Sequence, residues 1–297
     1  MIINAENLAA VRTGFNTAYN GGLGRAVSSY GRVTTTVPSS VKEQKYGWLG
    51  KFPKVREWIG GRVVQNMSQG DYAIKEKKWE MTVGVDRDDL ETDNIGIYGP
   101  MFEEMGQSAG EAWDELCWAM LKAGFTNLCY DGQFYFDTDH PVLNELGETI
   151  SVANTDGGAG QPWFLIDARR PLKPVILQKR KDFKFVAKDK ETDDNVFDNN
   201  EFIYGYDARA NAGYGFWQIA WGSKQALDEA HYESARAALT GMKGDYGKPL
   251  GLLPNLLVVG PTNEGAGKRL VQSRIVDGVE TNIWAGTAEL LVVPWLA

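Results

Sequence analysis

The chain has 297 residues, enough for one large or two modest domains with a sizeable core. Hydrophobic residues at 43% and charged residues at 24% are ordinary for a folded protein and exclude a disordered chain. A formal charge of −8 without any Lys/Arg-rich arm argues against a dedicated DNA-binding role, because gripping nucleic acid by counterion release needs a basic surface.

Ten Trp, twelve Tyr and twelve Phe are many for this length. Large aromatics fill cores and are also enriched at subunit interfaces. Cys117 and Cys129 are the only cysteines, and two buried thiols in a reducing compartment are expected. The segment after Met1 is polar and charged, so no signal peptide is expected. No apolar run approaches the ~18 residues of a membrane-spanning helix. Synthesis in the cytoplasm follows as an expectation.

Residues 1–45 are polar and rich in small side chains. NAENLAAVRTGFNTAYNGG reads as a short helix, with Asn4 as cap, Leu8, Val11, Phe15 and Ala18 as its stripe, and Gly21–Gly22 as its stop. From Leu23 to Lys45 large apolar residues are scarce, which predicts an extended arm ordered by lying on a neighbour. Residues 46–85 predict a long β-hairpin. Val55–Ile59, Gly60–Gly61 and Arg62–Val64 read as strand, tight turn and strand. Trp79, Met81, Val83 and Val85 alternate with Lys78, Glu80, Thr82 and Gly84, a strand with one apolar face. Trp48, Trp58 and Trp79 have little hairpin interior to enter. They pack on the body or on another subunit.

Asp86–Asp93 is an acidic link. Residues 98–124, YGPMFEEMGQSAGEAWDELCWAMLKAG, predict one long helix, about 35 Å at the usual rise. Gly99 is the expected cap, Pro100 the first helical residue and Gly124 a left-handed stop. Phe102, Met105, Ala109, Ala112, Leu116 and Met120 recur at helical spacing, and Trp113, Cys117 and Leu121 widen the stripe. The interior glycines Gly106 and Gly110 suggest close approach of another backbone, or a bend. Tyr130–Asp131–Gly132 reads as a turn, Gln133–Phe136 as a short strand and 143–162 as a loop. A second lobe is expected over 163–260. Its strand signals are Pro174–Leu177, Phe183–Ala187, Phe202–Tyr206 and Phe216–Trp221, with an acidic loop at 188–201. Ser223 is the expected cap of a helix to about Leu239. Leu256–Val259, a helix from about Asn263 to Gln272, and a terminal strand Glu289–Val293 complete the chain.

Three stretches superficially carry chemistry. Gly106–Gln107–Ser108–Ala109–Gly110 matches the G-x-S-x-G pattern of serine hydrolases, but that chemistry needs a strained strand-to-helix turn and here the pattern lies inside an amphipathic helix. Asp137, Asp139 and His140 offer metal-ligand types, with His231 the one further histidine. No second cluster shows ligand spacing, so a turn is the simpler reading. The glycines of 260–269 fail the phosphate-loop spacing, since Thr262 stands where Gly is required and Arg269 follows Lys268. No catalytic residue, metal or cofactor is expected. The alternatives are a soluble hydrolase using Ser108 and a Trp-rich carbohydrate-binding protein.

WLGKFPKVREWIGGR, VGVDRDDLETDNIGIYGP, the long helix and CYDGQFYFDTDHP together resemble the major head subunit of Mu-like phages and prophages. YGFWQIAWGSKQAL, YGKPLGLLPNLLVVGPTNEGAGKRL and NIWAGTAELLVVPWL continue the likeness in the right order from about residue 46 to the end. Gly260 departs from the Pro that such sequences often carry. The resemblance implies an α+β Hong Kong 97-type phage major capsid fold. It implies an N-terminal arm over 1–45, an extended loop over 46–85, and a peripheral domain over 86–162 with the spine helix at 98–124. An axial domain would span 163–260, with a return to the peripheral domain over 261–297. It further implies pentamers and hexamers closing into an icosahedral virion shell around DNA held only non-specifically, with no membrane partner. A separate scaffolding protein, a portal and a decoration protein are the expected partners. Arg56, Trp58, Arg62 and Trp79 are the candidate subunit-interface residues, chosen as aromatics and charges on a projecting hairpin.

Overall fold

The computed structural model describes residues 2–49, 72–92, 94–276 and 280–297. Its main helices are α1 (Ala5–Arg25), α2 (Arg87–Glu91), α3 (Gly99–Lys122), α4 (Asp194–Asn199), α5 (Glu229–Thr240) and α6 (Glu264–Val271). Strands β1 (Thr34–Pro38), β2 (Glu43–Lys45), β3 (Ala73–Lys75) and β4 (Lys77–Asp86) precede the spine helix α3. After it come β5 (His140–Leu143), β6 (Thr149–Val152), β7 (Thr155–Gly158), β8 (Trp163–Ile166), β9 (Val175–Lys188), β10 (Glu201–Tyr214) and β11 (Ala220–Lys224). Of the strands that follow, the longest are Leu256–Val259 and Glu289–Val292.

Asn4 caps α1 as its position suggests, accepting from the Asn7 N–H at 2.8 Å. The helix does not stop at Gly21–Gly22. It runs on to Arg25 and crosses α3 there. A Cβ on Gly22 would lie 1.8 Å from the Glu103 carbonyl oxygen, and one on Gly106 would lie 1.9 Å from the Tyr19 carbonyl oxygen. Glycine at both positions lets two helix backbones touch, and this contact explains an otherwise unfavourable residue in each helix. The interior glycines of α3 therefore mark close approach. Above the crossing, Phe15 stacks on Phe102 at 4.1 Å and Tyr19 on Tyr206 at 3.5 Å.

Tyr98, not Gly99, caps α3, with Pro100 in the first turn. Gly124 is not left-handed. It lies in a tight right-handed turn, Ala123–Phe125, and is small because a Cβ there would meet the Phe136 ring at 2.8 Å. The buried stripe of α3 includes Phe102, Met105, Ala109, Trp113, Cys117 and Leu121, with Asp114 and Trp118 alongside. Ala112, Leu116 and Met120, expected in the stripe, sit at its half-exposed margin.

The segment expected as an extended arm folds back instead. Asp114, almost wholly buried on α3, accepts from the N–H groups of Ser29 and Tyr30, both at 2.8 Å, and from Ser29 Oγ at 2.9 Å. This turns the chain so that β1 runs parallel to β9. One sheet has the order β1-β9-β10-β4 and carries α1 and the first half of α3. The strand signals at 174–177 and 183–187 merge into the single 14-residue β9. The second sheet has five strands, in the order Glu289–Val292, Leu256–Val259, β8, β11, β7. Trp163–Ile166 and Leu256–Val259 are buried on both faces, as continuous apolar runs predict. The sheets do not divide at 163 and 260. Strands β9 and β10 leave for the spine layer, while Glu289–Val292 joins the five-stranded sheet.

Smaller differences have local causes. Ser223 stays buried in β11, and Asp228 caps α5 by accepting from the His231 N–H. Gln133–Phe136 forms no strand beyond a bridge of Phe134 to Leu128. The loop at 143–162 contains β6 and β7, and the acidic loop at 188–201 contains α4.

Asp167, fully buried at the end of β8, accepts from Arg169 Nε and Nη2 at 2.9 Å and from the Leu253 N–H at 3.0 Å. Burial pushes this carboxyl up, but the Arg169 and backbone N–H bonds outweigh it and hold it below the usual carboxylate range.

Two outcomes are expected. Gly106→Val forces α1 off the spine and lowers stability in urea by about 1–3 kcal/mol or more, whereas Gly14→Ala, with nothing near its added Cβ, is neutral or stabilising. Because the folded carboxyl of Asp167 is the more acidic, its contribution is present above about pH 4 and lost as pH falls through the folded value. Acid titration of Asp167→Asn should show a flatter loss of stability in that limb than the unsubstituted chain.

Candidate functional site

Strands β2 and β3 pair antiparallel, Glu43 with Lys75 and Lys45 with Ala73, and so bracket residues 46–72. The pairing continues with the Tyr46 N–H donating to the Tyr72 carbonyl at 3.0 Å. Side chains fix both ends to the β9–β10 layer. Tyr46 Oη donates to Gln178 Oε1 at 3.1 Å, and the Tyr214 N–H donates to Tyr72 Oη at 2.6 Å. Tyr46, Leu49, Ile74 and Ile176 form a small core of their own, and Trp48 packs edge-on to Tyr46 at 6.0 Å. Arg180 on β9 donates to both oxygens of Glu76, at 2.8 and 3.0 Å, and Glu76 is nearly buried.

Of the four expected contact residues, Arg56, Trp58 and Arg62 lie outside the described residues. Trp79 is half-buried on β4. Its indole N–H donates to the Ala210 carbonyl at 2.9 Å, and its ring meets Trp113 edge-on at 6.4 Å. Trp113 in turn stacks on Phe183 at 5.2 Å. Trp79 thus packs on its own subunit and leaves only part of its surface to a neighbour.

Ser108 lies on the exposed face of α3. Neither histidine approaches it: His140 bonds to Asp131 and Asn154, and His231 bonds to Asp228. Two of the three glycines of 260–269 have packing reasons, since a Cβ on Gly260 would meet the Leu296 carbonyl at 2.7 Å and one on Gly267 the Leu290 side chain at 2.7 Å. Asp137 bonds the Thr138 and Phe134 N–H groups, and Asp139 bonds Ser151, as a turn requires. His140 parts company with them. It turns inward to Asp131, a residue nine positions earlier that sequence spacing did not single out.

The described residues thus give a spine helix shared by two sheet layers and a β2–β3 pair anchored to β9. The model of the family described as Mu-like prophage major head subunit gpT matches residues 8–296. The major capsid protein of Escherichia phage Mu is 41% identical over 305 residues, covering 100% of both chains. The subunit in the procapsid of bacteriophage JBD30 superposes with a TM-score of 0.87 and 42% identity over 99% of this chain and 100% of that one. The subunit in the JBD30 capsid decorated with minor capsid protein trimers gives 0.78 and 33%, over 93% of each chain. The chain belongs to the Mu-like major head subunit family. It has the α+β Hong Kong 97-type coat fold, and its role is that of a structural capsid protein of the virion.

Arg180→Ala leaves Glu76 nearly buried without its cation. A loss of about 1–3 kcal/mol is expected, with faster amide exchange at Tyr46 and along β2–β3 and little change in the five-stranded sheet.

Proposed function

We propose that identical copies of this chain form pentamers and hexamers that close into an icosahedral shell around double-stranded phage DNA. The observation that supports this most is full-length likeness to subunits of assembled heads. Heterologous contacts of this kind close only when the rotation between copies allows it. Large apolar side chains stand in water on the lone chain: Val27 at 89% exposure, Phe197 at 87% and Leu146 at 82%. Neighbouring copies would cover such positions.

The layer of α1, α3 and the four-stranded sheet is the peripheral domain in this reading, and the unit around the five-stranded sheet is the axial domain. The segment bracketed by β2 and β3 is the extended loop, reaching a neighbour through Arg56, Trp58, Arg62 and the exposed edge of Trp79. The N-terminal segment acts as an arm that has folded onto its own spine in the single subunit. Assembly would use a separate scaffolding protein, a portal and a decoration protein, with synthesis in the host cytoplasm. The chain works by contact rather than catalysis. Its net charge of −8 suits a wall along which DNA must slide during packaging.

Negative-stain electron microscopy of the purified chain, with and without its scaffold, should show shells, tubes or capsomer rings. Monodisperse monomers in both samples count against the reading. Trp58→Ala should lower shell yield while leaving the urea stability of the unassembled subunit within about 0.5 kcal/mol. Equal loss in subunit and shell would remove Trp58 from the interface.

A further inference from the structure

Cys129, Asp131 and His140 meet in a largely buried cluster that the proposed subunit contacts do not involve. Cys129 and Asp131 sit on the tight turn after α3, where the Gly132 N–H donates to the Cys129 carbonyl at 3.2 Å and the Gln133 N–H to Asp131 Oδ1 at 3.1 Å. His140 opens β5 and is fully buried. Cys129 Sγ donates to Asp131 Oδ1 at 3.0 Å, and His140 Nδ1 lies 2.7 Å from Asp131 Oδ2. One ligand atom from each residue lies within 4.8 Å of the other two.

The surroundings aim the imidazole. Asn154 Nδ2 donates to the Tyr135 carbonyl at 2.9 Å, and Asn154 Oδ1 accepts from the Asp137 N–H at 2.9 Å. The carboxamide is thereby oriented with Oδ1 toward His140 Nε2, at 3.2 Å, so Nε2 carries a proton. The ring lies flat on Trp217, with centroids 3.9 Å apart. Nδ1 is left facing the carboxylate. A metal-binding histidine has this same arrangement, one nitrogen held by an outer acceptor and the other presented inward.

We propose that Cys129, Asp131 and His140 bind one zinc ion, through Sγ, Nδ1 and one carboxylate oxygen. Sulfur with nitrogen and oxygen is the mixture that zinc accepts in tetrahedral sites, where solvent would fill the fourth position. The ion takes the place of the protons that now lie between the three side chains. On binding, the Cys129 thiol proton and the proton held between His140 Nδ1 and Asp131 Oδ2 both pass to solvent as the sulfur–metal and nitrogen–metal bonds form. The imidazole keeps its Nε2 proton, donated to Asn154 Oδ1. Thiolate and carboxylate together then neutralise the dication inside the core. Without a cation, burial and the neighbouring Asp131 push the Cys129 thiol well above its ordinary value. A bound dication reverses that balance. With its protein donors drawn from two segments, the ion would tie the turn after α3 to β5.

The test is cobalt titration of the full-length chain, reduced and freed of metal by dialysis against a chelator. One cobalt ion per chain should bring up a thiolate-to-cobalt charge-transfer band that zinc removes. Cys129→Ser keeps a hydroxyl to donate to Asp131. It should lose the band and bind zinc more weakly by more than the roughly 10–100-fold that loss of an outer partner causes. Cys117→Ser and His231→Ala should leave the band unchanged. A second measurement needs no substitution: zinc should raise the thermal midpoint of the stripped chain. No thiolate band, a band that survives Cys129→Ser or disappears with Cys117→Ser, or a midpoint indifferent to zinc would overturn the proposal.

Discussion

Every layer of this subunit depends on the burial of one helix along two different cores. Phe102, Met105 and Ala109 on the first half of α3 pack with α1, β4 and β10. Trp113, Cys117, Trp118 and Leu121 on the second half pack with the five-stranded sheet. A helix of 24 residues is long enough to reach both. Its rigidity makes their relative position a property of the backbone rather than of a flexible linker. Strand β10 reinforces the link, because its early residues Phe202, Tyr204 and Tyr206 lie in the first core and its late residues Ala210, Ala212 and Tyr214 in the second.

Polar groups fix how the peripheral pieces attach to this spine. Asp114 draws the chain after α1 onto the helix through three donors from Ser29 and Tyr30, and Trp118 Nε1 adds a fourth at 3.2 Å. Arg12 clamps the nearly buried Asp189 with two bonds, at 2.6 and 2.9 Å, and pins α1 to the far end of β9. Asn154 holds the carbonyls of Tyr135 and Trp217 and the N–H of Asp137 together. Buried groups anchored by several hydrogen bonds select one packing among several that are similarly apolar.

A shell subunit must join a body that holds its shape to segments that reach outward. Here the boundary between the two is physical. Strands β2 and β3, the Tyr46–Gln178 bond and the Arg180–Glu76 pair secure the ends of the segment they enclose. Both ends of that segment are thereby tied to β9, and through β9 to the spine layer.

Local pattern by itself determined the elements whose periodicity is long and unambiguous. The spine helix, the alternating strand around Trp79–Val85, the apolar run Leu256–Val259 and the Asn4 cap were all readable, because 3.6- and two-residue spacing survives any tertiary context. The motif blocks were specific enough to indicate the coat fold before any coordinate. Tertiary structure alone decided the rest. It made Gly22 a crossing point rather than a stop, since only another backbone shows why a side chain is missing there. It sent β9 and β10 to the spine layer, because strand pairing between distant segments leaves no local signature. It also drew His140 away from Asp137 and Asp139 and onto Asp131, which Cys129 also meets. Neighbours in sequence on a turn point in different directions, and a tight turn brings residues nine positions apart within hydrogen-bonding distance.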